Sequence, residues 1–346
     1  MTSEILKIAL LLDSRNYGGI ETHVVNLARG LHKLGHSVQI ILLNDYGKHP
    51  VFESDEFLRS ILLKLDGRLS SFYKLIKTSN INLIHTHGYK AGVIGRVSCK
   101  FANKAVISTF HSGEKGNLKI SLYRWIDRMT AQSSPCICVS EQIKKSARLT
   151  AEVIENFIEL PTKGYKTTTP AKQIAFVGRL SHEKGPDLFL HLAEQLPQYE
   201  FSMYGSGPMS KEVSQCASNN VTLMGHVDSM NKYWSKISFL CITSREEGLP
   251  LVAIEALVRG IPVISYDIGG ISSVVINNHN GWLIPPFNHA AFIESIKQGQ
   301  ALSTEQRHKM ASFAYQHIKN NFSSDVVIPK IFNVYLKALI GGYHAK

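Results

Sequence analysis

The stretch PTKGYKTTTPAKQIAFVGRLSHEKGPD, residues 161–187, decides how the chain divides. Its opening, PTKGYKTTTP (161–170), is polar, mixes Thr, Lys, Gly and Pro, and has no apolar period, so it reads as a linker. QIAFVG (173–178) is then a short apolar strand, and the residues after it carry glycines and a proline before a helical pattern begins. A fully apolar strand that turns through glycines into a helix is the unit of a parallel sheet covered on both faces.

The same unit recurs on both sides of the linker. Before it, residues 5–13 read as a strand. Residues 20–34 read as an amphipathic helix, with Ile20, Val24, Leu27, Leu31 and Leu34 at helical spacing and Gly35 at the stop. SVQIILL (37–43), INLIHTH (81–87), AVISTF (105–110) and CICVS (136–140) are further strands with helical patterns between them. After the linker come EFSMYG (200–205), VTLMG (221–225), FLCITS (239–244) and PVISY (262–266). Two runs of alternation predict an α/β chain of two doubly wound parallel-sheet (Rossmann-like) domains facing a central cleft. The expected bounds are 1–163 and 164–325, with a terminal helix, 326–346, packing back on the first domain. Ligands of such domains belong at the carboxyl ends of the strands.

Bulk properties agree. A length of 346 residues suits two domains, and 44% apolar with 19% charged residues is the composition of a folded globular chain. No apolar run reaches the roughly 18–20 residues that span a bilayer. The N-terminus, MTSEILKIALLLDS, makes a better first strand than a secretion signal. The five cysteines, Cys99, Cys136, Cys138, Cys216 and Cys241, contain no C-x-x-C pair and read as reduced, half-buried thiols, which points to the cytoplasm. Net charge is +11, and residues 1–165 hold 22 of the 38 Lys and Arg against 14 of the 27 Asp and Glu. A basic first half calls for an anionic partner: a membrane surface, an acidic glycolipid or a nucleic acid. EKGNLKISLYRWIDRM (114–129) adds Leu118, Leu122, Trp125 and Met129 at helical spacing with cations between, a pattern that suits an anionic membrane or an ordinary domain helix.

The chemistry concentrates in the second half. Gly178, Arg179, Lys184 and Gly185 follow a strand and precede a helix, where close backbone approach and two cations can neutralise a diphosphate. In SREEGLPLVAIEALVRG (244–260), Pro250 marks the first turn of a helix that runs to about Val258. Glu247 then lies in the loop before that helix and Glu255 about a turn into it. The backbone N–H groups of Gly248, Leu249 and Leu251 would face the same ligand. Two carboxylates beside two cations suit a molecule that combines hydroxyls with a diphosphate, which describes a nucleotide sugar. YGSGP (204–208) lacks the third glycine of the dinucleotide fingerprint and reads as a tight loop. Gly18 and Gly19, in DSRNYGGIE, open the first helix, whose N-terminus attracts phosphate.

EEGLPLVAIEA, GRLSHEKG, YGGIETHVVNLARGLHKLGHSV and DIGGISSVVINNHNGWLIPP occur in that family's order and together resemble the retaining glycosyltransferases of family four, which adopt the glycosyltransferase B-type fold. The resemblance covers nearly the whole chain. It implies an acceptor-binding first domain and a nucleotide-sugar-binding second domain. It implies that Glu247 contacts donor-sugar hydroxyls, that Glu255 holds the ribose, and that Arg179 and Lys184 clamp the diphosphate. His111, in TFHSG, would lie by the sugar and help stabilise the transition state, and Gly18 and Gly19 would approach the diphosphate and acceptor. His87, with His85 in LIHTHG, and Asn156, in VIENFIEL, are candidate acceptor-site residues. Glu155 and Phe157 replace the usual neighbours of Asn156, and Ser273 replaces the usual glutamate of the GG-x-x-E stretch.

The resulting expectation is retaining transfer of a sugar from a nucleotide diphosphate sugar to a hydroxyl of a glycan or lipid-linked saccharide, in bacterial surface polysaccharide or lipopolysaccharide synthesis. No D-x-D occurs in the chain, so no metal and no other cofactor is expected. The site would be cytoplasmic, with peripheral attachment to the inner face of the cytoplasmic membrane, and no nucleic acid would be bound. A nucleotide-sugar epimerase and a non-catalytic nucleotide-sugar-binding protein on the same architecture remain as alternatives. A dinucleotide-dependent oxidoreductase is disfavoured, since no intact G-x-G-x-x-G follows any strand.

Overall fold

The computed structural model describes residues 5–15, 18–111, 118–132, 134–161 and 172–340. The chain forms two compact units, Met1–Glu159 with Ser324–Lys346, and Leu160–Ser323. The division therefore falls a few residues before the expected bounds of 163 and 325. Residues 162–170 of the expected linker lie outside the described residues, as do 114–117 of the basic helical stretch.

The first unit carries a seven-stranded, wholly parallel sheet in the order β3 (Leu62–Lys64), β2 (Ser37–Leu42), β1 (Lys7–Leu12), β4 (Leu83–His87), β5 (Ala105–Phe110), β6 (Cys136–Cys138), β7 (Glu152–Val153). Its helices are α1 (Gly19–Lys33), α2 (Glu56–Ile61), α3 (Leu69–Thr78), α4 (Tyr89–Ala102), α5 (Leu118–Ala131) and α6 (Glu141–Ala147). The second unit repeats the plan with six parallel strands. Their order is β10 (Val221–Gly225), β9 (Phe201–Tyr204), β8 (Gln173–Val177), β11 (Ile237–Ile242), β12 (Val263–Tyr266), β13 (Gly281–Ile284). Helices α7 (Pro186–Glu194), α8 (Ser210–Cys216), α9 (Leu251–Leu257), α10 (His289–Ala301) and α11 (Thr304–Asn321) belong to it. The last helix, α12 (Ser324–Ile340), returns to the first unit and packs on α1 and β5.

Both sheets start in the middle, run outward in one direction, then reverse. The reversal lies between β1 and β4 in the first unit and between β8 and β11 in the second. At such a point the loops leaving the two neighbouring strands diverge to opposite faces and open a crevice at the carboxyl edge.

Period-two alternation explains why both faces must be covered. Ile8, Leu10 and Leu12 of β1 pack with Val24, Leu27 and Leu31 of α1 and with Ile331 and Tyr335 of α12. Ala9 and Leu11 point the other way, into a cluster with Phe72 and Ile76 of α3 and Cys99 of α4. In the second unit Ile174, Phe176, Phe201, Met203 and Phe239 meet Phe189 of α7 and Phe292 of α10. Four of the five cysteines are buried and none forms a disulfide, so these four thiols behave as core side chains and not as the half-buried groups expected. Gly30 lets α12 approach α1 closely, because a Cβ there would stand 1.6 Å from Ile328 Cδ1.

One polar device fixes α4 and α5 to the first sheet. Arg96, on α4, is 2% exposed and pairs with Asp127 of α5, itself 5% exposed. The same guanidinium donates to Ser108 Oγ on β5 at 2.6 Å and to Thr130 Oγ1 at 2.8 Å. Removing one member of a buried ion pair leaves the other charge without compensation. Arg96→Ala is expected to lose about 3–5 kcal/mol of stability. A melting temperature within about 1 °C of the native chain's would contradict this account of the network.

Candidate active site

The loop that leaves β8 runs Gly178, Arg179, Leu180, Ser181, makes a single 3-10 turn at His182–Lys184, and enters α7 through Gly185 and Pro186. The loop that leaves β11, the strand across the reversal, runs from Thr243 to Pro250 and enters α9 at Leu251. Pro250 is thus the residue that caps the helix and not its first member. The two loops are bonded together. Lys184 Nζ donates to both carboxylate oxygens of Glu247, at 2.8 and 2.9 Å. Ser244 Oγ donates to Oε1 of the same group at 2.7 Å. The Glu247 side chain is only 8% exposed and that of Lys184 29%, so the pair lies at the mouth of the carboxyl edge with its acid buried beneath. Backbone bonds reinforce it: Arg245 N–H donates to Glu183 O at 2.7 Å, and Thr243 Oγ1 donates to Gly185 O at 2.8 Å. The Arg245 side chain closes a two-pronged pair with Asp187 at 2.8 and 2.5 Å, which holds that carboxyl below its ordinary range.

Two glycine loops stand behind these residues. Gly269, with φ +73°, would place a Cβ 2.4 Å from Glu247 O, and the next amide, Gly270 N–H, donates to Gly248 O at 2.6 Å. Gly205, with φ +140°, would place a Cβ 1.8 Å from Gly178 O, and Gly207 would place one 2.4 Å from Leu180 O. YGSGP and the GG of DIGGISS therefore serve as backing for the two site loops. Ser273, one turn on, bonds its hydroxyl to Gly270 O at 2.8 Å and closes that turn. Leu249 and Leu251 are buried.

Arg179 is exposed, and among the described residues its guanidinium has neither a hydrogen-bond nor an ion-pair partner. Glu255, on α9, accepts no hydrogen bond among the described residues, and burial pushes its carboxyl from the ordinary 4.5 up to about 7, offset in part by the charge of Arg259. The Arg259 guanidinium itself is spent on Glu255 O, Asn231 and the face of Trp234. The structure thus joins Lys184 directly to Glu247, and sets Arg179 and Glu255 on the same two loop–helix segments with their charged groups uncommitted.

In the first unit, Gly18 precedes the first residue of α1 with an extended φ of −166°. A Cβ there would meet Glu21 Oε2 at 2.9 Å, so the Glu21 carboxyl lies over this helix start, and its burial raises its pKa. His87 ends β4 and His111 follows β5. Their rings are bonded, Nδ1 of His87 to Nε2 of His111, at 3.1 Å. His23, on α1, completes the group, its ring centroid 4.6 Å from that of His111. Asn156 is buried and holds His23 Nδ1 at 3.1 Å, so it positions a ring and presents no surface of its own. His85 shares its face with His87, but both its nitrogens are taken, by Tyr335 Oη at 2.7 Å and Thr109 Oγ1 at 2.6 Å. Burial first, then the charges of neighbouring histidines, depress His87 and His111 well below the ordinary imidazole range, and burial brings His23 to about 4. All three are neutral at physiological pH. His23 is not singled out by the sequence pattern. The available signal was a histidine on the buried stripe of α1 that also carries Asn26 and Gly30.

Two parallel sheets that each reverse at a central switch point form the B-type glycosyltransferase fold. Comparison with known proteins gives the family. Residues 17–160 match the model "Glycosyltransferase Family 4" and residues 162–317 match "Glycosyl transferases group 1", so the chain belongs to the group 1, family-four glycosyltransferases. It is 26% identical to an uncharacterized glycosyltransferase of Methanocaldococcus jannaschii, over 92% of this chain and 94% of that one. It is 24% identical to an Escherichia coli UDP-Gal:alpha-D-GlcNAc-diphosphoundecaprenol alpha-1,3-galactosyltransferase, over 81% of each. The fold is similar to the crystal structure of Anabaena HepE in complex with UDP, with a TM-score of 0.81 at 17% identity, covering 96% of this chain and 100% of that one.

The raised Glu255 carboxyl has a thermodynamic consequence. Between its ordinary value of 4.5 and its folded value of about 7, the native chain keeps a proton that the unfolded chain has released. Stability therefore falls as pH rises through that window and stays low above it. Glu255→Gln should melt higher than the native chain at pH 8, and the gain should vanish by pH 4. An equal or lower melting temperature at pH 8 would contradict the burial of this charge.

Proposed function

We propose that the chain moves a sugar from a nucleoside diphosphate sugar to a hydroxyl of a glycan or lipid-linked saccharide, with the anomeric configuration kept and without a metal ion. The single observation that carries the reading is the Lys184–Glu247 pair, which ties together two loops on either side of a sheet reversal. The printed names of two similar proteins support it: HepE was crystallised with UDP, and the E. coli relative is named for UDP-Gal and a diphosphoundecaprenol-linked acceptor.

In this reading the bond from the anomeric carbon to the donor's diphosphate oxygen breaks, leaving negative charge on the diphosphate and positive charge on the sugar. Lys184 and Arg179 stabilise the first, with the backbone amides of Gly248, Leu249 and Leu251. Glu247 accepts from hydroxyls of the transferred sugar, and its contact with Lys184 fixes the ammonium where the charge develops. Preorganised charge of this kind is often the largest catalytic contribution. Glu255 accepts from the ribose hydroxyls. The acceptor oxygen bonds to the anomeric carbon on the face the diphosphate leaves, and the acceptor proton passes to a diphosphate oxygen. His111, held neutral, serves as a dipole and hydrogen-bond partner at the transferred sugar, and His87 holds that ring. Gly18 and Gly19 allow the diphosphate and acceptor to approach the backbone.

The acceptor's lipid is met at an anionic membrane surface. Among the described side chains of α5, Tyr123, Trp125 and Met129 are exposed, while Asp127 is buried against Arg96. Tyr89 on α4 is exposed beside them, its ring centroid 6.1 Å from that of Tyr123. Such aromatic groups in a basic unit favour the headgroup region. No helix among the described residues is long and apolar enough to cross a membrane.

Turnover is expected to continue undiminished in EDTA, and Lys184→Ala is expected to lower kcat by about 10²–10³. Unchanged kcat in the variant, or total loss of turnover in the chelator, would contradict the electrostatic account. Trp234 and Trp282 are buried, so of the three tryptophans Trp125 is the one that reports on the surface. Phosphatidylglycerol vesicles at low salt should shift its emission to the blue, and Trp125→Phe should abolish the shift. Emission unchanged by vesicles would contradict membrane attachment at α5.

A further inference from the structure

Three imidazoles reach one spot in the first unit from three different elements: His23 from α1, His87 from the end of β4, His111 from just past β5. One ring nitrogen of each lies within 4.8 Å of the other two. His23 and His87 are each 2% exposed, and each keeps a buried Nε2 with no hydrogen-bond partner. Folded proteins leave few buried polar atoms unmet.

The existing bonds determine what those atoms offer. Nδ1 of His23 faces Asn156 Oδ1, which can only accept, so Nδ1 carries the proton and Nε2 the lone pair. His87 meets His111 through Nδ1, a contact that His111 gives up when it turns to the ion, and its Nε2 has no partner. A partner on the far nitrogen that fixes ring and tautomer is how metal-binding imidazoles are oriented. An all-imidazole donor set suits zinc, copper or nickel and not the oxygen-seeking magnesium or calcium.

We propose that His23, His87 and His111 form a binding site for one divalent transition-metal ion of the zinc class. A tetrahedral ion with Zn–N bonds of about 2.0–2.1 Å holds its ligand atoms about 3.3 Å apart. The half-buried His111, at the start of the loop after β5, turns off His87 to close the distance. Three protein ligands leave a fourth position open. A ring that holds an ion does not face a sugar, so the ion inhibits transfer. That consequence rests on the function proposed above; the binding does not.

The test uses the full chain freed of any polyhistidine tag, titrated with Zn²⁺ against a chromophoric chelator and with Co²⁺ followed by visible absorption. One ion per chain at micromolar affinity or tighter is expected, with the intense bands of tetrahedral cobalt. His23→Gln and His111→Asn should each weaken binding by about 10-fold or more, whereas His226→Asn, at an exposed histidine, should not. Melting curves identify any variant that fails to fold, and His111→Asn, at the half-buried loop position, keeps the test decisive if His23→Gln is one. Absence of binding at micromolar Zn²⁺, or equal binding by a folded His111→Asn chain, overturns the site. Zinc that binds there without slowing transfer supports the site and contradicts the role given to His111. Binding by a chain that transfers no sugar from any donor supports the site and contradicts the proposed function.

Discussion

The contact between the Lys184 ammonium and both oxygens of the Glu247 carboxylate is the constraint on which the second unit's site depends. The two residues lie 63 positions apart and sit on loops that diverge from neighbouring strands. Arg245 N–H to Glu183 O, Thr243 Oγ1 to Gly185 O and the Arg245–Asp187 pair cross the same reversal beside it. The Glu247 side chain is 8% exposed, and the Lys184 ammonium and the Ser244 hydroxyl both meet its carboxylate. Because the Lys184 end of the pair is partly open to solvent, the full desolvation of a buried ion pair is avoided. The result is an acid and a cation fixed at the surface by one another, with Gly269 and Gly205 permitting the backbone to pass close behind them.

The first unit solves a different problem with the same topology. Its switch-point residues are neutral imidazoles and not ions. Burial strips them of charge, and hydrogen bonds from Asn156 and between His87 and His111 fix their planes. A neutral ring can orient a hydroxyl or bind a transition metal but cannot balance a diphosphate, whereas the second unit's loop after β8 carries two cations, Arg179 and Lys184.

Much of this was legible in the sequence, for identifiable reasons. Central strands such as ALLL of β1 and FLCI of β11 are apolar throughout because both faces are covered, and that signal survives without any structure. The edge strands β3, β7 and β13 were not read from the sequence; the first two are only two or three residues long, with half-exposed side chains. Lys184 and Glu247 were readable as candidates because loop charges after apolar strands are conspicuous. Their direct bond was not readable, since sequence separation says nothing of the reversal that makes β8 and β11 neighbours. His23 was hidden for a related reason: it sits on the inward stripe of α1, where a histidine looks like one more packed residue. The backing role of Gly205, Gly207 and Gly269 needed distances between backbones that no spacing reveals.

The most direct test of the central claim is a calorimetric titration of nucleoside diphosphates (UDP, GDP, ADP, CDP and TDP in turn) into the native chain and into Lys184→Met. The account predicts that at least one binds with micromolar affinity in the absence of metal, and that the same nucleotide loses most of that affinity in the variant. Failure of all five to bind, or binding that is indifferent to residue 184, would contradict it.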